Sequence, residues 1–92
     1  MEKITKKGIS MISAASHALK FYRESGSHEK AMNQVSRVIS EERNEEVKLG
    51  MVAAASKALS IAEKNPSMTD KQVVNQVMEE LPMIISSIEG QN

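Results

Sequence analysis

The chain partly repeats itself, and that constrains its fold more than any other feature. Met11-Ile12-Ser13-Ala14-Ala15-Ser16-His17-Ala18-Leu19 recurs forty residues on as Met51-Val52-Ala53-Ala54-Ala55-Ser56-Lys57-Ala58-Leu59, with six of nine positions identical. A second echo, at an offset of 42, sets Ala31-Met32-Asn33-Gln34-Val35 against Val73-Val74-Asn75-Gln76-Val77. A unit of about forty residues holds two helices and a turn, but alone it cannot cover two apolar stripes. The two copies must therefore cover each other. The expected fold is all-α: a four-helix bundle of two tandem helical hairpins, residues 9–42 and 47–88, from an internal duplication, in a single domain over 1–92.

Apolar spacing places the elements. Ile12, Ala15, Leu19 and Tyr22 follow a 3-4-3 pattern that Met11, Ala14, Ala18 and Phe21 widen, which predicts a helix over 9–24. Thr5 is a possible cap ahead of it, and Gly8 weakens an earlier start. Gly26 in Ser25-Gly26-Ser27 suits the residue that closes a helix, and Ser27 can cap the next one over 28–42. That second helix shows Ala31, Met32, Val35, Val38 and Ile39 on one face. Asn44 before Glu45 and Glu46 predicts a break and a third helix over 45–64, with Val47, Met51, Val52, Ala55, Leu59 and Ala62 inward. Asn65-Pro66 ends it, because a residue before proline avoids the helical region. Thr69 caps a fourth helix over 69–89, whose stripe is Val73, Val74, Val77, Met78 and Leu81. Met83, Ile84, Ile85 and Ile88 continue the stripe past Pro82, where a kink is expected, and Gly90 closes the structure. The small pairs Ala14/Ala18 and Ala54/Ala58 predict close approach of the first and third helices about a pseudo-twofold axis.

Composition narrows the classes of function. Twelve Lys and Arg balance twelve Asp and Glu, which removes the general electrostatic case for nucleic acid or an anionic membrane. With no Cys among 92 residues, neither disulfides nor thiolate chemistry is available. No apolar run approaches the roughly 20 residues a membrane span needs, and no apolar segment follows the basic N-terminus as in a signal peptide. A cytoplasmic location is expected.

Motifs for catalysis are absent. No Gly-rich phosphate loop, nucleophile elbow, metal-ligand spacing or His–acid arrangement occurs, so no enzyme, cofactor or metal is expected. One string invites chemistry. His17-Ala18-Leu19-Lys20, on a helix of a four-helix protein, resembles the start of the His-x-Leu-Lys-Gly motif of histidine phosphotransfer domains. Phe21 stands where that motif has Gly. The resemblance implies a phosphoacceptor at His17 and a charge partner at Lys20. A second alternative is a DNA-binding helical regulator, with Ser25–Ser27 as the turn of a helix-turn-helix and Lys30, Asn33, Gln34 and Arg37 reading base edges.

The leading expectation is a small protein-binding module, of adaptor, chaperone-like or inhibitor and immunity type, acting through apolar helix faces. Seven Met and only two aromatic residues favour an adaptable apolar surface. Phe21, Tyr22, Met32 and Met83 are the expected contact residues, as the large side chains nearest the stripe edges. The partner is another protein, a second copy in a homodimer, or both.

Overall fold

A computed structural model describes the backbone of residues 6–89 and the side chains of residues 7–87. Four helices, with no strand among the described residues, run α1 (Lys6–Ser25), α2 (His28–Ile39), α3 (Glu45–Lys64) and α4 (Asp70–Glu89). Thr5 and Gly90 lie outside the described residues, as does the side chain of Ile88.

Local chemistry sets the boundaries. At the end of α1, Gly26 takes φ +69 and its N–H donates to the Tyr22 carbonyl at 2.7 Å, the left-handed closure that glycine adopts at least cost. Ser27 Oγ then accepts from the Lys30 N–H and starts α2. This helix stops at Ile39, three residues before the expected end. There Glu41 N–H and Glu42 N–H bond to the Val38 and Ile39 carbonyls, closing the last turn tightly. The Glu42 carboxylate accepts from the N–H groups of Arg43 and Asn44 and holds the connecting turn. Asn44 caps α3 by accepting from Val47 N–H at 3.1 Å. At the start of α4, Thr69 Oγ1 accepts from Gln72 N–H while Gln72 Oε1 accepts from Thr69 N–H, a reciprocal capping box. Helix α4 runs through Pro82, which has no N–H to offer the Met78 carbonyl.

Helices α1 and α3 form the centre and run parallel. Lys7 meets Glu46 at 3.2 Å, and Met11 lies over Gly50, so early residues face early residues. Short connections fold α2 back on one side and α4 on the other, and α2 does not touch α4. This order produces two apolar clusters. One joins Met11, Ala15 and Leu19 to Ala54, Ala58, Ile61 and Ala62 and to Val73, Val77 and Leu81. The other joins Met51, Ala55 and Leu59 to Ala14 and Ala18 and to Ala31, Val35 and Ile39.

The sequence offsets of 40 and 42 convert the common members of one cluster into those of the other: Met11 into Met51, Leu19 into Leu59, Val77 into Val35, Leu81 into Ile39. Ala14, Ala15, Ala18, Ala54, Ala55 and Ala58 are all fully buried. Alanine pays no side-chain entropy and lets two backbones approach, so the seam between α1 and α3 is built at little conformational cost. Leu19 and Leu59 each fill one cluster, and burying a side chain of that size contributes about 1.5–3 kcal/mol.

Three residues of the expected stripes face outward instead: Val52, Met78 and Met83 are 41%, 36% and 71% exposed, beyond the positions that meet the neighbouring helix. Gly50, Ala54, Ala58 and Ile61 complete the buried face of α3.

Candidate functional site

The exposed apolar side chains show where the bundle is incomplete. Ile9 (59%), Leu49 (55%), Val52, Met78 and Met83 (71%) are the large hydrophobics left open among the described residues. Ile9 and Leu49 are forty residues apart and are exposed to a similar degree, one on each central helix.

Helix α4 is antiparallel to α1. Arg23, in the last turn of α1, bonds through Nε to Asp70 Oδ1 at 2.8 Å at the first residue of α4. Nearer the middle, Ser16 and Leu19 of α1 and Asp70, Lys71, Val74 and Asn75 of α4 line an open groove of about 360 Å3. Residues 9, 12, 16 and 19 are spaced 3-4-3 and form one line along α1, and residues 74, 78 and 85 lie along one side of α4. Beyond that groove the spacing continues the α1 line, past the polar Ser16, through Ile12 to Ile9 and the α4 line through Met78 to Ile85, an interrupted strip along the two helices. Ile12, Val74 and Ile85 are half-buried against the first cluster, and Ile9 and Met78 are exposed.

The matching strip beside α2 is shorter. Leu49 and Val52 open it, but offset 42 puts Ser36 where α4 has Met78 and Arg43 where α4 has Ile85. The difference lies in α4 continuing for two turns beyond the position at which α2 ends.

Three of the four expected contact residues lie beside one cluster, and Met83 lies on α4 apart from them. Phe21 and Met32 are half-buried against the second cluster, and Tyr22 packs against both. The Arg23 guanidinium lies 5.8 Å from the Tyr22 ring centroid. Met83 is thirteen residues along α4 from Asp70, about 20 Å at 1.5 Å per residue, and so far from the Arg23 end. Met83 is open, as are Ile9, Leu49, Val52 and Met78. Ile9 and Leu49 carry a signal in the sequence, a large side chain outside the helical stripe, whereas Val52 and Met78 fall within it.

His17 is half-buried, and its Nδ1 donates to the Ser13 carbonyl at 2.8 Å. Its ring centroid is 6.3 Å from that of Phe21, and Lys20 is exposed on the next turn. Lys30, Asn33, Gln34 and Arg37 are exposed along α2, flanked by the exposed Glu29 and Glu41. Among the described residues no three His, Cys, Asp or Glu side chains converge as a metal site, and no helix is long and apolar enough to cross a membrane. Comparison with protein-family models, curated proteins and solved structures finds no match.

Proposed function

We propose that this chain is a cytoplasmic, non-catalytic module that takes an amphipathic helix of a partner protein into the strip between α1 and α4. The observation that supports it is that the exposed Ile9 and Met78 fall on the same helix lines as the half-buried Ile12, Val74 and Ile85. Helix-in-groove recognition uses anchors at i, i+3 or i+4, and i+7, the spacing this strip offers. Met78 adds an unbranched side chain that can re-pack against differing partners. Lys20 and Lys71, both exposed at the Leu19 end, favour a partner helix with acidic flanks there.

The test is affinity capture with the full chain, followed by native mass spectrometry of the eluate. A stoichiometric partner should be retained by Leu49→Glu and lost in both Ile9→Glu and Met78→Glu. Capture that ignores the Ile9 and Met78 substitutions would overturn the reading, as would no stoichiometric partner. A homodimer with the same sensitivity would assign the strip to a second copy. The rival reading, phosphotransfer at His17, is favoured by one contact: the Nδ1 bond to Ser13 leaves the Nε2 lone pair for a phosphoryl group. Acid-labile phosphate in the same eluate, lost in His17→Gln, would establish that rival instead.

A further inference from the structure

Of the three acid–base pairs that join the hairpins, the two other than Lys7–Glu46 are one pair with its acid and base exchanged. Arg23, at the end of α1, meets Asp70 at the first residue of α4. Glu63, at the end of α3, meets His28 at the first residue of α2. Offsets of 40 and 42 carry Arg23 onto Glu63 and His28 onto Asp70. The base on an inner helix thus becomes an acid, and the acid on an outer helix becomes a base.

The apolar contacts do not tell one hairpin from the other. The side chains that each central helix sends into the cluster on the opposite hairpin are the same, Met11, Ala15 and Leu19 from the first and Met51, Ala55 and Leu59 from the second, although the residues around them differ, with Ala31 for Val73 and Tyr22 for Ala62. Two copies of the first hairpin would bury much the same clusters as the native pairing. Their ends would not match. Two first hairpins bring Arg23 against His28 at both ends, with no acid for either. Two second hairpins bring Glu63 against Asp70 at both ends, carboxylate against carboxylate. Discrimination of this kind comes from a repulsive element in the wrong complex, since the attractive contacts are shared.

We infer that these two pairs are a pairing code, which makes the first hairpin (residues 6–39) accept the second (residues 45–89) and reject a copy of itself. The interaction surface is the inner face of each hairpin, and its fitting partner is the unlike hairpin. Each pair is about half exposed and contributes little to stability alone. Its effect is on selection.

The test exchanges charges in the full chain. Arg23→Glu with Asp70→Arg keeps opposite charges in the native pairing, yet turns all four like-hairpin contacts from mismatched to attractive. His28→Glu with Glu63→Lys does the same at the other pair, away from the α1–α4 strip. Each two-residue variant should form dimers in sedimentation velocity at a concentration about tenfold or more below that of the native chain. All four substitutions together set Glu against Glu in one wrong pairing and Arg against Lys in the other, and should return association to the native level or below. Exchange of unlike hairpins between chains keeps every native contact, so it does not respond to these changes. Two-residue variants that associate no more than the native chain would overturn the inference. So would a four-residue variant that associates as they do. The His28 and Glu63 variant separates this result from the docking reading, because it leaves the strip intact.

Discussion

Replacing Gly50 by alanine sets two effects of similar size against each other. Gly50 is buried in α3, where alanine is favoured over glycine by about 0.8–1 kcal/mol. A β-carbon there would lie 2.9 Å from Sδ and 3.1 Å from Cγ of Met11, whereas ordinary carbon contacts fall near 3.5–4.0 Å. Met11 is fully buried, so its side chain cannot swing into water, and the helices must part or the thioether must leave its rotamer. Overpacking of this kind costs about 1–3 kcal/mol. The steric cost wins, and Gly50→Ala should lower stability by about 1 kcal/mol, or Tm by about 4–8 °C for a domain this size.

The assay is thermal unfolding followed by circular dichroism on a double-mutant cycle. Met11→Ala alone removes a core side chain and should cost about 2–5 kcal/mol. Against that background the clash is gone, and Gly50→Ala should become stabilising by about 0.8–1 kcal/mol. A sign reversal between the two backgrounds is the diagnostic result. If Gly50→Ala raises Tm in the native background, the seam between α1 and α3 is looser than the Met11 contact implies, and the reasoning fails.

Leu59→Ala, in a fully buried position, should lose about 2–5 kcal/mol. Leu49→Ala, 55% exposed, should stay within about 0.5 kcal/mol of the native chain. Urea unfolding of the two variants compares them directly, and equal losses would refute the assignment of inner and outer faces on α3. Thr69→Ala removes the hydroxyl that caps Gln72 N–H and should cost about 1 kcal/mol. Hydrogen exchange should then quicken in the first turn of α4; unchanged protection there would show that the box is not holding that turn.

Local chemistry made much of the fold legible. Ser27, Asn44 and Thr69 each provide an oxygen for the orphan N–H groups of a first turn, and Gly26 supplies the left-handed closure, so four helix ends follow from single residues. The end of α2 was harder to place. Ser40, Glu41 and Glu42 are compatible with helix, and the turn depends on the Glu42 carboxylate bonding the next two N–H groups. Exposure at the candidate contact residues is only partly legible for a related reason. Size and stripe-edge position select Phe21, Tyr22 and Met32, but a large side chain at an edge is also the one a neighbouring helix can cover. All three are half-buried, whereas Ile9, outside any stripe, remains open.

Periodicity, caps and the repeated Met-x-x-Ala-Ala-Ser-x-Ala-Leu string by themselves determined four helices, their approximate limits and the small-residue seam. These depend on interactions within a few residues of one another, or on which side chains are small. Only the tertiary structure decided that α1 and α3 lie parallel at the centre, that α2 and α4 never meet, and that Arg23 and His28 find their acids on the opposite hairpin. Those outcomes turn on which of two nearly equivalent apolar faces meets which. Helical spacing cannot choose between equals, and the choice requires contacts between residues as far apart as Arg23 and Asp70.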